Sequence, residues 1–334
     1  MRRRFADGSA TNTYDVAHFN QHHNLWGIDL GGTKIEGVIL KSAQEPEVLF
    51  RHRVPTGAAH GYAHILGQVE QLVQHLEAIA GYRADQVGIG TPGTIIPKSG
   101  LMKNCNATVL NGQPVRAHLE HLLGMRVAMA NDANCFALAE TRLGVVRQQF
   151  PDAKVVFGII LGTGVGGGLV VNGQVIGGYH GIAGEWGHNH LSAAEGEPCF
   201  CGKTGCNESI LAGPALERYY ARHSEQPRSL QEIAERAARG LDAVATQTME
   251  RLTHFFGLAL SNVVNLLDPD VIVIGGGVGN IDCLYEAGVA NVQQHIFDHQ
   301  FEAPVVKPLL GDSAGVFGAA YLVAEPAPVP VAAA

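Results

Sequence analysis

The chain contains two copies of a glycine-rich hairpin pattern, one near its beginning and one near its middle. Residues 27–32 (Gly-Ile-Asp-Leu-Gly-Gly) are echoed by residues 158–163 (Gly-Ile-Ile-Leu-Gly-Thr), and at the same offset residues 37–38 meet residues 168–169. Apolar residues stand on both sides of the glycines, so each copy predicts a β-strand, a turn and a second strand. The repeat predicts two similar halves, although two hairpins could also coincide in a chain with 42 glycines.

The rest of the chain alternates between helical and strand periodicity. Apolar residues recur at helical spacing from Ile65 to Ile79 and from Leu252 to Leu267, whereas Val271–Ile274 has the length of a buried strand. This alternation predicts an α/β fold with largely parallel central sheets, to which the hairpins add antiparallel strands. Because single cores rarely grow beyond about 250–300 residues, a chain of 334 residues is expected to form two domains.

Composition limits the classes of function. The formal net charge of −8 lacks the basic surface that nucleic-acid binding requires, and no apolar run approaches the length of a membrane span. The arginines at positions 2–4 precede polar residues and not the apolar region of a signal peptide. We therefore expect a cytoplasmic protein with a flexible extension over residues 1–23 and an unstructured Pro/Ala-rich end from Glu325.

Both glycine turns are candidate phosphate sites, because glycine lets a phosphate approach backbone N–H groups closely. The first turn comprises Asp29, Gly31, Gly32, Thr33 and Lys34; the second, which lacks the charges, comprises Gly162, Thr163, Gly164 and Gly166; and Gly275, Gly276 and Gly277 end a buried strand. The spacing fits neither a P-loop nor a dinucleotide-binding motif. For either turn by itself, an ordinary tight hairpin remains the alternative.

Two further features stand outside the glycine turns. Three of the six cysteines fall within eight positions in a chain without an export signal, which favours metal binding over disulfides. Asp132 precedes an apolar helical pattern, and its local sequence favours a helix N-cap.

Together these motifs resemble the ROK family, which is named for repressors, open reading frames and kinases. The resemblance runs from about residue 25 to residue 323 and is carried by Asp29–Lys34, Gly162–Gly166, Gly184–His188 and Cys199–Glu208. It implies a duplicated, two-domain actin-like ATPase fold of the ribonuclease H type with an interdomain cleft. The smaller domain would span residues 24–130 plus about 314–325, and the larger domain, with a zinc knuckle, residues 131–313.

The resemblance also implies an ATP-dependent sugar kinase that uses Mg²⁺. Asp132 matches the family's catalytic aspartate, which accepts a proton from a sugar hydroxyl as that hydroxyl attacks the γ-phosphorus in line. As a carboxylate at a helix N-terminus, it is expected to be ionised. The residues that match hexose contacts are Gly93, Asn106, Asn131, Asp132, Glu185, His188 and Glu208.

The cysteine-rich segment has the donors of a tetrahedral zinc site. Three thiols and one imidazole, from His188, Cys199, Cys201 and Cys206, leave no open coordination position, so the Zn²⁺ would be structural, as the resemblance also implies. The second ring nitrogen of His188 would be free to face the sugar. Unliganded cytosolic cysteines are the alternative.

The identity of the sugar rests on residues 103–114, which look most like bacterial ROK fructokinases of the manno(fructo)kinase type. We therefore expect fructose, phosphorylated at its 6-hydroxyl, with mannose or glucose as secondary substrates. The alternatives are an N-acetylglucosamine kinase or glucokinase of the same family, or a sugar-sensing repressor. A repressor carries a helix-turn-helix domain, for which the residues before Gly27 are too few. A homodimer is the default expectation for the assembly.

Overall fold

The structure is a computed structural model that describes residues 2–4, 13–15, 19–298 and 300–324. The chain divides into two compact units, each with a hydrophobic core. The first unit comprises Met1–Leu143, Gly177–Ile182 and Asp312–Ala334, and the second comprises Gly144–Ile176 and Ala183–Gly311.

The first unit contains a main five-stranded sheet and two shorter strand pairs. Its strands are β1 (Arg2–Arg4), β2 (Thr13–Asp15), β3 (Leu25–Leu30), β4 (Lys34–Leu40), β5 (Val48–Pro55), β6 (Gln86–Thr91), β7 (Thr94–Ile95), β8 (Met102–Lys103) and β9 (Arg126–Asn131), and its helices are α1 (Tyr62–Ala80), α2 (Val115–Leu123), α3 (Asp132–Arg142) and α10 (Ala314–Tyr321). The main sheet has the order β5-β4-β3-β6-β9, antiparallel from β5 to β3 and parallel from β3 to β9. Strands β1 with β2 and β7 with β8 form two separate antiparallel pairs.

The second unit repeats this arrangement. Its strands are β10 (Val155–Leu161), β11 (Val165–Val171), β12 (Gln174–Val175), β13 (Val271–Gly275) and β14 (Val305–Val306), and its helices are α4 (Val145–Gln149), α5 (Asn207–Leu211), α6 (Gly213–His223), α7 (Leu230–Ala238), α8 (Ala243–Leu267) and α9 (Ala287–His295). Its sheet order, β12-β11-β10-β13-β14, has the same sequence of antiparallel and parallel pairings. The predicted α/β duplication is therefore confirmed.

The registers refine the internal repeat. Residues 31–34 separate the paired ends of the first hairpin, whereas only residues 162–164 separate those of the second. Because the second turn is one residue shorter, Gly37 corresponds by pairing to Gly167 and not to Gly168. The equal-offset correspondence predicted from the sequence therefore fails beyond the turn.

The two predicted apolar helical stripes are confirmed. In α1 the buried side chains follow the 3.6-residue period from Ile65 to Ile79, and this helix packs on β4 and β5. It ends at Gly81, whose φ of 81° suits the left-handed residue that closes a helix. In the second unit α8 begins where the Asp242 side chain accepts the N–H groups of Val244 and Ala245.

The observed units depart from the predicted domain boundaries. We expected the first domain to end at residue 130, but α3 packs against α10, which keeps both helices in the first unit. The contact leaves no room for side chains, because a Cβ on Gly318 would overlap the backbone of Cys135. Residues 177–182 also join the first unit, where the Thr94 hydroxyl donates to the Gly181 carbonyl at 2.8 Å.

The chain ends are described only in part. Of the predicted flexible extension, Arg2–Arg4 and Thr13–Asp15 pair as antiparallel strands, while residues 1, 5–12 and 16–18 lie outside the described residues. The predicted unstructured end from Glu325 also lies outside them. Within the described part of the chain, no helix combines the length and the apolarity that crossing a bilayer demands.

Candidate functional site

The first glycine turn is fixed by its own backbone and by one buried threonine. The Gly31 N–H donates to the Lys34 carbonyl at 3.0 Å. The Thr56 hydroxyl donates to the Gly31 carbonyl at 2.7 Å, and the Thr56 N–H donates to the Thr33 carbonyl at 3.0 Å. Because Thr56 is fully buried, its two hydrogen bonds fix the turn to the interior of the first unit.

Asp29 lies at the end of β3, next to this turn, in an environment that opposes its ionisation. Burial, and then the negative charges of Asp132 and Glu36, raise its pKa to about 6, against a smaller opposing effect of Lys34 and Arg53. Glu36 lies opposite Asp29 on β4, is almost fully buried and pairs with Arg51 and with Arg53, the latter at 2.8 Å. Burial disfavours the ionised form of an isolated carboxyl group. A bound cation, or a water bound to a metal, would favour the ionised form of Asp29.

Asp132 is the first residue of α3, and it does not serve as the N-cap. The cap is Asn131, whose Oδ1 accepts the Asn134 N–H at 2.8 Å, while Asp132 Oδ1 accepts the N–H of Ala133 at 2.8 Å. The Asp132 side chain keeps access to solvent, yet the protein around it desolvates the carboxyl and raises its pKa, with the backbone N–H bonds opposing. The helix N-terminus was expected to favour the ionised form of Asp132; the backbone N–H bonds there do lower the pKa, but desolvation has the larger effect.

The remaining predicted sugar contacts of the first unit flank the β7–β8 hairpin. Gly93 precedes β7 and packs against Cys105, since a Cβ on Gly93 would come within 2.6 Å of the Lys103 carbonyl oxygen and closer still to the Cys105 sulfur. Asn106 directly follows Cys105 and is exposed. The hairpin therefore presents both positions from one small element.

The second glycine turn is held by the start of α6. The Gly162 N–H donates to the Gly164 carbonyl at 2.9 Å, and the Gly162 carbonyl accepts the N–H of Gly213 at 2.8 Å. Gly276 follows β13 in the left-handed region, with φ of 86°, and a Cβ there would overlap the backbone of Leu161. The two glycine segments of this unit thus come together, as Gly162 and Gly277 also lie close to one another.

Glu208 has a contact that the sequence did not suggest. It was predicted as a hexose contact, and the structure shows its Oε2 accepting the Val165 N–H at 3.0 Å, directly after the second turn. Its Oε1 lies 4.0 Å from the Cys199 sulfur. One carboxylate therefore joins the glycine turn to the cysteine-rich segment.

The predicted metal ligands converge. The ligand atoms of His188, Cys199, Cys201 and Cys206 all lie within 4.8 Å of one another, with 3.5 Å between Cys199 Sγ and His188 Nδ1. In a tetrahedral zinc site with Zn–S bonds of about 2.3 Å, neighbouring sulfurs are about 3.8 Å apart. The 3.5 Å between the sulfurs of Cys201 and Cys206 is close to that spacing, so the donor set fits zinc. Glu185 lies nearby in sequence, just before the 3₁₀ turn Trp186–His188.

Sequence reasoning missed a cavity of about 850 Å³ in the second unit. It is lined by Glu217 on α6, by Ser229, by α7, by α8 and by the segment from Gly277 to Ala287, and of these positions only Gly277 was predicted. Four of its lining residues are acidic (Glu217, Glu235, Glu250 and Asp282), and none of the described residues that line it is lysine or arginine. No motif marks these helix positions, so the sequence offered no signal for them.

The predicted site residues are divided between the two units. The first holds Asp29, Gly31, Gly32, Thr33, Lys34, Gly93, Asn106, Asn131 and Asp132. The second holds Gly162, Thr163, Gly164, Gly166, Glu185, His188, Cys199, Cys201, Cys206, Glu208, Gly275, Gly276 and Gly277.

Comparison with known proteins gives a consistent result. The model of the ROK family matches residues 25–326. An N-acetyl-D-glucosamine kinase of Erwinia tasmaniensis is 35% identical over 313 residues, covering 89% of this chain and 98% of the relative. That name gives no specific support to the expected fructokinase.

Two solved structures are similar throughout. The ROK hexokinase from Thermus thermophilus has a TM-score of 0.79 at 31% identity and covers 90% of this chain and 97% of its own. The ROK family glucokinase from Streptomyces griseus, in complex with glucose and AMPPNP, has a TM-score of 0.70 at 27% identity and covers 90% and 98%. The actin-like ATPase fold predicted from the sequence is confirmed by these matches.

Proposed function

Because the chain belongs to the ROK family of sugar kinases, we propose that it transfers the γ-phosphoryl group of ATP to a hydroxyl of a hexose, with Asp132 as the general base. The observation that carries this assignment is that two neighbouring residues at the start of α3, Asn131 and Asp132, have different roles. Asn131 caps the helix, so the Asp132 carboxylate is not needed as a cap, and desolvation raises its pKa. A base is most effective when its pKa lies near the working pH.

In the proposed reaction the hexose oxygen forms a bond to the γ-phosphorus while the bond from that phosphorus to the β,γ-bridging oxygen breaks. The hydroxyl proton passes to Asp132, and ADP leaves with the electron pair of the broken bond. The role of the protein is mainly to position the two substrates and to exclude water.

We assign the nucleoside to the cavity in the second unit and the phosphates to the glycine segments beside it. The acidic side chains that line the cavity favour the amino group of a nucleobase and disfavour phosphates. Gly277 lines the cavity, and a Cβ on Gly162 would lie 4.0 Å from the Gly277 nitrogen, so the second turn adjoins the lining of the cavity. Mg²⁺ neutralises charge on the phosphates of such a nucleotide, and the Asp29 carboxylate is the group we assign to it.

For the acceptor we propose N-acetyl-D-glucosamine, supported by the name of the 35% identical relative. Fructose is the second candidate, because residues 103–114 look most like fructokinases. Discrimination between hexoses depends on buried polar groups that each hydroxyl or acetamide must satisfy.

A coupled ADP-release assay tests both levels of this proposal. We expect kcat/KM for N-acetyl-D-glucosamine to exceed that for fructose, mannose and glucose by about tenfold or more. A preference for fructose would replace the acceptor and leave the kinase assignment intact. ADP release that no hexose stimulates would refute the kinase itself.

We further propose that His188, Cys199, Cys201 and Cys206 hold a structural Zn²⁺. The donors and their spacing support this assignment, and four protein ligands leave no position for a substrate water. The metal would order the segment that joins Glu185 and His188 to Glu208, and would take no part in the chemistry.

A further inference from the structure

We propose that Asn111 is a positioning residue for the hexose, which it holds in place through the backbone of Cys105. This inference rests on the proposed function. The observation behind it is a side-chain clamp that no motif predicted. Asn111 Oδ1 accepts the Cys105 N–H at 2.9 Å, and its Nδ2 donates to the Cys105 carbonyl at 3.2 Å.

The Asn111 side chain satisfies the backbone groups of Cys105, which none of the described strands pairs. Met102 on β8 exchanges two backbone hydrogen bonds with the turn that follows the loop: its carbonyl accepts the Gly112 N–H at 2.8 Å and its N–H donates to the Gln113 carbonyl at 2.9 Å. This exchange stops because Asn104 turns into the left-handed region, with φ of 58°. The Asn111 amide then supplies to Cys105 the acceptor and the donor that a neighbouring strand would have supplied.

Cys105 in turn locates both predicted sugar contacts of this element. Asn106 is the next residue, and Gly93 packs so closely on Cys105 that a Cβ would come within 2.9 Å of its backbone nitrogen. Cys105 is buried, which makes it a fixed point for the buried Gly93 and the exposed Asn106. A substitution at Asn111 should therefore weaken hexose binding indirectly, through the positions of Gly93 and Asn106.

The loop that carries the clamp is otherwise well anchored, so its effect can be isolated. Leu110, one residue before Asn111, is fully buried. Asn111 itself has φ of −65° and ψ of 133°, which any residue adopts. Substitution at this position thus removes two hydrogen bonds without straining the backbone.

The test compares Asn111→Ala and Asn111→Asp with Thr108→Ala, a control at an exposed position of the same loop. Initial rates are measured over a matrix of ATP and N-acetyl-D-glucosamine, or fructose if the wild type prefers it, together with the shift in Tm on adding the hexose. For Asn111→Ala we expect the hexose KM to rise about tenfold, with the ATP KM unchanged within about twofold and a smaller hexose-induced shift. Asn111→Asp keeps the acceptor for the Cys105 N–H but places an oxygen against the Cys105 carbonyl, so it should be impaired in the same direction.

The outcomes separate this inference from the proposed function. A wild-type protein that no hexose activates refutes the kinase. An active wild type with an unchanged hexose KM in Asn111→Ala, or with ATP and hexose KM raised equally, overturns only the role of Asn111. Failure of both Asn111 variants to fold would also overturn it, because the clamp would then be a requirement of the whole fold. Thr108→Ala should behave as the wild type throughout.

Discussion

The two hairpins share one backbone plan and differ in their chemistry. The first carries Asp29 and Lys34 at its turn and Glu36 on the following strand, whereas the second has no charged residue between Leu161 and Val171. In the second unit the nearby carboxylate comes from Glu208 on α5, outside the hairpin. The difference teaches that both units keep a glycine turn between paired strands, while the acidic groups near that turn are supplied by different elements in each unit.

A second contrast concerns what stabilises each unit. The first holds its turn with the buried Thr56, through ordinary hydrogen bonds. The second connects its turn through Glu208 to the cluster of four side chains to which we assign a metal ion. If this contrast is right, metal removal should affect the second unit and spare the first.

Zinc removal should produce the largest effect. We expect one Zn²⁺ per chain by elemental analysis, and loss of the metal to a chelator should lower the Tm of the second unit by about 10 °C or more, because metal binding is coupled to folding. Cys201→Ser should reproduce the loss of metal. Cys283→Ser, outside the cluster, is the matched control and should retain zinc. Full zinc content in Cys201→Ser would contradict the ligand set.

Loss of the proposed base should come next. Asp132→Asn is expected to lower kcat by about 10²–10⁴-fold with a smaller change in hexose KM, since a general base acts mainly in the transition state. Its Tm should not fall, because the substitution removes a desolvated carboxyl group. Asp85→Asn, at an exposed position of the same unit, provides the control. Wild-type turnover in Asp132→Asn would remove Asp132 from the mechanism.

A pair of glycine substitutions compares the turns directly. A Cβ on Gly164 would lie 2.7 Å from Glu208 Oε2, while a Cβ on Gly32 would meet no atom within 4 Å. Gly164→Ala should therefore destabilise the protein by about 1–3 kcal/mol, and Gly32→Ala by less than about 0.5 kcal/mol. Denaturant unfolding measures both values.

The same pair has an internal check. Glu208→Asp shortens the acid and withdraws its oxygen, so it should restore part of the stability lost in Gly164→Ala. Equal unfolding free energies for Gly32→Ala and Gly164→Ala would break the comparison between the turns. Raised ATP KM in Gly32→Ala, with unchanged stability, would indicate that the first turn approaches the nucleotide.

The fold was predictable because its signals are local and repeated. The glycine turns, the apolar runs and the helical stripe of α1 each follow from period and composition, and the duplication follows from comparing the chain with itself. The boundary at residue 130 was not predictable, because α3 joins the first unit through contacts with α10, far away in the sequence. The single-residue difference between the turns is likewise visible only in the strand registers.

For the candidate site, the sequence yields a set of residues as a prediction but does not yield their contacts. Motifs identified Asp132 and Glu208, yet only the structure shows that Asn131 is the helix cap and that Glu208 accepts the Val165 N–H. The clamp by Asn111 and the acidic cavity have no motif, because they depend on how separate segments pack. Hexose preference is harder still, since it depends on a few hydrogen bonds within a pocket.

The last prediction concerns a pH-dependent effect of the charge that distinguishes the first hairpin. The pKa of Asp29 is about 6 in the folded protein and 3.8 in the reference state, so the folded state binds the proton more tightly. The resulting loss of stability is complete above pH 6, shrinks as the pH falls, and is absent below pH 3.8. Asp29→Asn should therefore stabilise the protein at pH 8 by about 3 kcal/mol, and this gain should largely vanish near pH 4, while activity falls at both pH values.

Denaturant unfolding of wild type and variant at several pH values measures this gain, with Asp85→Asn, at an exposed position of the same unit, as the control variant. The negative charge of Asp132 contributes to the raised pKa of Asp29, so the gain should shrink in an Asp132→Asn background. In the wild type, kcat/KM for ATP should decline as the pH falls through 6, because protonation removes the carboxylate assigned to Mg²⁺. An Asp29→Asn protein that is less stable than wild type at pH 8 would show that this carboxylate stabilises the hairpin, and the destabilising effect that we assign to its burial would then be wrong.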